Sequence, residues 1–317
     1  MRRIGLIINP IAGVGGKAGL KGSDGEAIQK KALEKGGVLE AGYKTKIALE
    51  ELLSIKNKIE FITPHGAMGE DVLRELGFRY ELIGDNKKIT SAVDTEAAAE
   101  ELKEKNVEVL VFAGGDGTAR NIFNAVGLCL PCIGIPAGVK IHSAVYANNP
   151  KSAGIAIRMF LDNPQAAQML DREVMDIDET LFRQNIVEAK LYGYLLVPYL
   201  KNLIQNPKAS SRYGTHDVED IAEEVLNLMG HKDKNCCFIF GTGGMTFKIL
   251  EHIGLKGSLL GVDVVKNRKL VLSDGSEQEL YDFVKDEQEV VLIVTAIGGQ
   301  GHIFGRGNQQ LSPRIIR

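Results

Sequence analysis

At 317 residues the chain is long enough for two domains with separate cores, which makes one domain per substrate an available arrangement. With 38 Lys and Arg against 41 Asp and Glu the formal net charge is -3, which excludes a global basic field of the kind that binds nucleic acid or anionic membrane. Hydrophobic residues make up 44% of the chain, yet no apolar run approaches the roughly 18 residues needed to span a bilayer, so no transmembrane helix is expected.

Along the chain a short β-branched or apolar run repeatedly ends in a loop rich in Gly, Asn, Thr or Pro, often followed by helical periodicity. That grammar is α/β. RRIGLIIN (2–9) reads as a first strand; the two arginines before it do not make a secretory leader, because the apolar run is too short and meets Asn9-Pro10. It runs into PIAGVGGKAGLKGSDG (10–25). KIEFIT (58–63) leads into PHGAMGEDVLREL, a Gly-rich turn feeding an amphipathic helix, and residues 94–105 carry helix formers with Asp94 as the expected cap. VEVLVFA (107–113) is a strand buried on both faces and delivers GGDGT; a short helix over 118–127 then closes at Gly127. PCIGIP (131–136) is the next strand, and AGVKIHSAVYA (137–147) reads as another Gly-containing turn opening a helix.

Residues 171–198 read as two strands without an intervening helix, near which a second domain is expected to begin. The polar stretch 206–217 is a lid or a surface loop, and 218–230 is a helix ended by Gly230. The α/β grammar returns with CCFIF (236–240), the turn GTGG (241–244), a helix over 245–253, a strand over 259–265 with a hairpin through Asn267, and VVLIVTA (290–296) before the glycine-rich loop 297–310. The expected architecture is therefore α/β, with a nucleotide-binding domain over 1–168 and a second mixed α/β domain over 169–317 that carries Gly-rich loops at 241–244 and 298–307.

Four cysteines stand as Cys129 and Cys132 in CLPC and as the neighbours Cys236 and Cys237. A structural zinc needs four ligands in two converging pairs, whereas adjacent residues of a strand point to opposite faces. The C-x2-C pair could be redox-active or half of a zinc site, but reduced structural thiols are the favoured expectation; no histidine has metal-ligand spacing, and no metal is assigned to protein ligands.

Strands that end in glycine-rich turns point to phosphate, because the following helix offers unpaired N–H groups and a positive dipole end, and glycine lets an anion approach the backbone. In an open parallel sheet such loops share the carboxyl edge of the strands, so several can converge on one crevice. GGDGT places one carboxylate among them. Asp116 either caps its helix or acts catalytically, accepting a hydroxyl proton as that oxygen attacks a γ-phosphorus or orienting the hydroxyl and its magnesium.

The GGDGT turn resembles that of the ATP-NAD kinase superfamily, which shares it with diacylglycerol and sphingosine kinases. The chain looks like the archaeal and bacterial AcoX-like branch along INPIAGVGGKAGLKGSDG (8–25), AGGDGTARNI (113–122), GIPAGVKIHSAVYA (134–147), LYGYLLVP (191–198), LLGVDVV (259–265) and IGGQGHIFGRGNQQLSP (297–313). The resemblance implies an NAD kinase/diacylglycerol kinase-like α/β domain and phosphate contacts at Gly114, Gly115, Gly117 and Thr118, with Asp116 on the ribose 2'-hydroxyl. It implies ATP or polyphosphate as donor, NAD as acceptor, and Mg2+ carried with ATP. The chain departs from the well-studied members in having no Asn-Glu motif after the first domain and no Tyr-x-x-Ser-Ala-Gly-Gly segment, groups that help recognise NAD.

Further candidates come from the residues themselves. Asn9, Gly13, Gly15 and Gly16 form a second anion loop with Lys17 or Lys21 as countercharge. Gly138, Lys140, His142 and Ser143 lie where the next strand ends. Gly241, Thr242, Gly243 and Gly244 resemble an anion site at a helix start, and Asp263 stands where a ribose-binding carboxylate belongs. Gly298, Gly299, Gly301, Arg306 and Asn308 would cradle a second phosphate group, with Arg306 as clamp. The expected activity is phosphoryl transfer to the 2'-hydroxyl of NAD; a kinase for another lipid or metabolite hydroxyl, and a non-catalytic nucleotide sensor, are the alternatives. The expected setting is a cytoplasmic homo-oligomer with no nucleic-acid or membrane partner.

Overall fold

The computed structural model describes residues 1–15, 34, 37–87, 89–139, 141–177, 189–200, 202–205, 215–232, 236–295, 303–304 and 308–317. Two compact units emerge, the first built from residues 1–13 and, among the described residues, 39–177 and 189–205, the second chiefly from residues 215–317.

The first unit is organised by five parallel strands in the order β3-β2-β1-β4-β5: β1 (Arg2–Ile8), β2 (Ile59–Pro64), β3 (Tyr80–Ile83), β4 (Val109–Gly114) and β5 (Cys132–Pro136). All six residues of β4 are buried, as a central parallel strand covered on both faces requires. Helices α1 (Ala41–Glu50), α2 (Glu70–Leu76), α3 (Ala92–Glu104), α4 (Asp116–Val126) and α5 (Pro150–Asp162) accompany the sheet. Their starts differ in chemistry. Ser91 and Asp94 make a capping box on α3, so Asp94 is the third helical residue and Ser91 the cap, three residues earlier than expected. Asn149 caps α5 by accepting from Ser152 N at 2.8 Å. The turn after β2 is closed internally, with Gly66 N donating to Glu70 Oε2 at 2.8 Å.

Two expectations for this unit fail. Residues 137–147 do not open a helix among those described; Gly134 N donates to Val145 O at 3.0 Å and Ala147 N to Gly134 O at 2.9 Å, which hold residues 145–147 beside β5. The antiparallel hairpin β6 (Met169–Ile177) and β7 (Ala189–Pro198), expected to open the second domain, belongs to the first unit. The reason is packing: Val174, Leu195 and Val197 join the core of the parallel sheet, and a Cβ on Gly193 would lie 2.2 Å from Phe123 Cζ of α4.

The second unit holds a mixed sheet in the order β10-β9-β8-β11, made of β8 (Cys237–Phe240), β9 (Asp263–Lys266), β10 (Lys269–Leu272) and β11 (Val290–Ile293), with β8 and β11 parallel and the other pairs antiparallel. The expected hairpin through Asn267 is present, with Asn267 and Arg268 at φ 53° and 57° in the left-handed region that a tight two-residue turn demands. Helices α6 (Thr215–His231), α7 (Gly244–His252), α8 (Glu277–Val284) and α9 (Pro313–Ile316) complete it. Gly230 lies inside α6 rather than ending it, and the strand expected over 259–265 is reduced to its last part because 259–262 is taken up by a bend.

Candidate functional site

In the strand order of the first unit the sequence-adjacent neighbours reverse at β1 and β4, and the crevice at the carboxyl end of such a switch point is where open α/β sheets bind ligands. Register brings the loops to one level. Ile8 pairs with Ala113 and Gly114 with Pro136, so the chain leaves β1, β4 and β5 side by side, through Asn9, Gly115 and Ala137.

The turn after β4 is close-packed on two sides. A Cβ on Gly114 would lie 2.3 Å from Thr118 Oγ1, and one on Gly115 would lie 3.2 Å from Gly138 Cα. Gly115 is the cap residue of α4, and no side chain caps it. Around Gly117 nothing among the described residues lies within 4 Å of an added Cβ. The Asn9 loop is tied to the turn by Asn9 Nδ2, which donates to Thr118 Oγ1 at 2.9 Å, while Asn9 Oδ1 accepts from Ile11 N at 3.3 Å. Gly13 has φ 82°, and a Cβ there would lie 2.2 Å from Ala137 O, which brings the loops after β1 and β5 into contact. Gly15 ends the described part of the first loop.

Asp116, 7% exposed, opens α4 and faces the loop after β5. Its Oδ2 accepts from His142 N at 2.7 Å and lies 3.1 Å from His142 Nδ1, and its Oδ1 accepts from Ser143 N at 3.0 Å. Ser143 is fixed in turn: its hydroxyl donates to Met175 O at 2.8 Å and accepts from Met175 N at 3.0 Å. Tyr146, fully buried, donates its hydroxyl to Gly115 O at 2.6 Å. The loop bearing His142 is thereby pinned to β6 on one side and to the GGDGT turn on the other. Tyr146 and the Met175 backbone were not legible as site residues, since a tyrosine in an apolar run carries no signal of the carbonyl it will meet. On the next turn of α4, Arg120 pairs with Asp176 at 2.7 Å, with its guanidinium 5.3 Å from the Tyr192 ring centre.

The candidates of the second unit belong to a different sheet. Gly241 to Gly244 do follow β8 and lead into α7, but their polar groups are engaged internally: Asn308, fully buried, accepts from Thr242 N at 2.8 Å and Thr242 Oγ1 at 3.0 Å through Oδ1. Its amide donates to Ile303 O at 3.1 Å, so Asn308 clamps the turn. Asp263 is not displayed as a ribose-binding carboxylate. It is 1% exposed and accepts from Ser258 N, Ser258 Oγ, Ser273 Oγ and Asp274 N, all within 3.0 Å, which makes it the hub of two turns. Gly16, Lys17, Lys21, Lys140, Gly298, Gly299, Gly301 and Arg306 lie outside the described residues, as does most of 206–217.

The four cysteines are free thiols; burial pushes Cys132 far up and Cys237 up to about 11, while Cys129 is exposed. Among the described residues no group of three His, Cys, Asp or Glu is arranged to hold a metal, and no helix is long and apolar enough to cross a membrane. Two family models match: the ATP-NAD kinase N-terminal domain over residues 4–165 and the ATP-NAD kinase C-terminal domain over residues 234–317. Among curated proteins none matches the chain.

Proposed function

The chain belongs to the ATP-NAD kinase family, a family of phosphotransferases, and on that premise we propose that it moves the γ-phosphate of ATP, or the terminal phosphate of polyphosphate, onto the 2'-hydroxyl of NAD's adenosine ribose to give NADP. The observation that carries this reading is the position of Asp116: a carboxylate at the switch point, on the first residue of a helix whose cap residue is a glycine and so has no side chain to cap with.

Phosphoryl transfer asks the protein for positioning and charge stabilisation more than for covalent chemistry. The open space beside Gly117 and the N–H groups at the start of α4 suit a phosphate, and Asp116 suits the hydroxyl that attacks. As the ribose oxygen closes on the γ-phosphorus, its hydrogen passes to the carboxylate, the new O–P bond forms, and the bond to the β-phosphate oxygen breaks to release ADP. Magnesium ordinarily keeps several waters and is held by substrate phosphates with one or two carboxylates; arriving with ATP, it would neutralise phosphate charge there.

A second reading, a kinase for another hydroxyl, is favoured by one observation: the chain has neither the Asn-Glu motif nor the Tyr-x-x-Ser-Ala-Gly-Gly segment that help recognise NAD. Incubating the protein with Mg-ATP and NAD and following NADP separates the two. NADP formation supports the first; no NADP, with ADP release on adding another hydroxyl compound, replaces NAD by that acceptor.

A further inference from the structure

We infer that His142 is the positioning residue of Asp116, holding one carboxylate oxygen so that the other is presented to the acceptor hydroxyl. The inference rests on the kinase reading and deepens it. A carboxylate oxygen has about two acceptor directions. Oδ2 has both filled by His142, through the backbone amide at 2.7 Å and the ring at 3.1 Å, whereas among the described residues Oδ1 meets only Ser143 N, at 3.0 Å. One acceptor direction therefore remains, and it is on Oδ1. Both side chains are largely shielded from water, at 9% exposure for His142 and 7% for Asp116, so the pair is not loosened by solvent.

The contact also fixes the ring. An ionised carboxylate only accepts, so in this contact Nδ1 carries the hydrogen. During transfer the ribose O–H bond breaks, its hydrogen goes to Oδ1, the oxygen bonds to the γ-phosphorus, and ADP leaves with the electron pair of the broken P–O bond. The His142 Nδ1–H hydrogen stays where it is, and Asp116 afterwards returns its proton to water. Ser143 and Tyr146 hold the loop, so the ring needs no rearrangement when substrate binds.

The test uses the full chain and compares wild type with His142→Ala and His142→Asn. Replacing the ring by a methyl group lets the carboxylate turn, and kcat for NADP formation should fall about 10- to 100-fold with the KM values for ATP and NAD little moved. The Asn side-chain amide donates from near the place of Nδ1 and should recover most of the loss. Nitrogen-15 NMR of the imidazole should show the Nδ1–H form in wild type and its loss in Asp116→Ala. An Asn variant as slow as the Ala variant would overturn the inference, because His142 would then do more than donate a hydrogen bond. An Nε2–H ring in wild type would overturn it as well. The NMR arm needs no substrate or folded variant of His142; if wild type forms no NADP the NAD reading fails by itself, and the tautomer alone decides whether the pair exists.

Discussion

The turns after β4 and after β8 share one local grammar, a buried strand, a run of glycines with a threonine, and a helix opened by glycine without a side-chain cap, and yet their polar groups face different tasks. After β4 a carboxylate stands on the first helical residue and keeps an acceptor direction on Oδ1. After β8 the threonine is clamped by Asn308, and the unit's buried carboxylate, Asp263, is filled by four internal donors. A glycine-rich turn at a strand end is thus a statement about backbone geometry. Chemistry begins only where a side chain at the turn is left with bonding capacity.

The sharpest way to break that contrast is to neutralise each carboxylate. Asp116→Asn should lower kcat by roughly 10²- to 10⁴-fold, with a loss of about 1 kcal/mol in stability because the new NH2 meets Ser143 N in place of an acceptor, as measured by NADP formation and a melting curve. Activity equal to wild type would remove Asp116 from the chemistry. Asp263→Asn should do the reverse. Its amide NH2 would point at groups that themselves donate, and a stability loss of about 3 kcal/mol in urea unfolding is expected, with kcat of the folded fraction unchanged.

The glycines sharpen the contrast further. Gly114→Ala drives a methyl into Thr118, which Asn9 holds in place, and should cost about 2 kcal/mol in the same unfolding measurement. Gly244→Ala meets nothing within 4 Å and should be neutral or slightly stabilising. Gly117→Ala also meets nothing among the described residues, so a fold left intact with weakened ATP binding would mark the space beside it as the phosphate's.

Which of these features could be read from the sequence follows from the range over which each is decided. The buried run 107–113 and the GGDGT turn announced β4 and its helix because a parallel strand covered on both faces has to be apolar throughout. Short β3, an edge strand of only YELI, has no comparable run, and α5 is not among the expected elements although Asn149-Pro150 is a strong start. The hairpin's attachment to the first unit depends on Gly193 meeting Phe123 across 70 residues of sequence, which no local pattern encodes. The same holds at the site. Asp116 stands out from its neighbours in the sequence, but its contact with His142 required β4 and β5 to be adjacent and the described part of 137–147 to stay non-helical, and the helix expected there would have carried His142 elsewhere. Asp263 misled for the matching reason: its four donors come from turns on both sides of the hairpin.

The smallest effect concerns helices that cap themselves, the counterpart to those opened by glycine. Asp94 reaches back to Ser91 N at 2.8 Å and Ser91 Oγ at 2.9 Å and pairs with Lys87 at 2.6 Å. The Lys87 ammonium first, then the two Ser91 donors, pull its carboxyl down from 3.8 to about 2. A carboxyl lowered on folding adds stability that is fully present above its unfolded value and is lost as pH falls through the folded one. Because Lys87 is half exposed, the ion pair adds little beyond the cap, and Asp94→Ala should cost about 1 kcal/mol at neutral pH. That gap between variant and wild type should hold steady down to about pH 4 and then close progressively towards pH 2 in acid-dependent unfolding. NADP formation at neutral pH should not change, since the start of α3 is closed by its own capping box, whereas α4 has glycine at its cap. A loss of activity in Asp94→Ala comparable to that in Asp116→Asn would show that the two kinds of helix start do not differ in function as their caps imply.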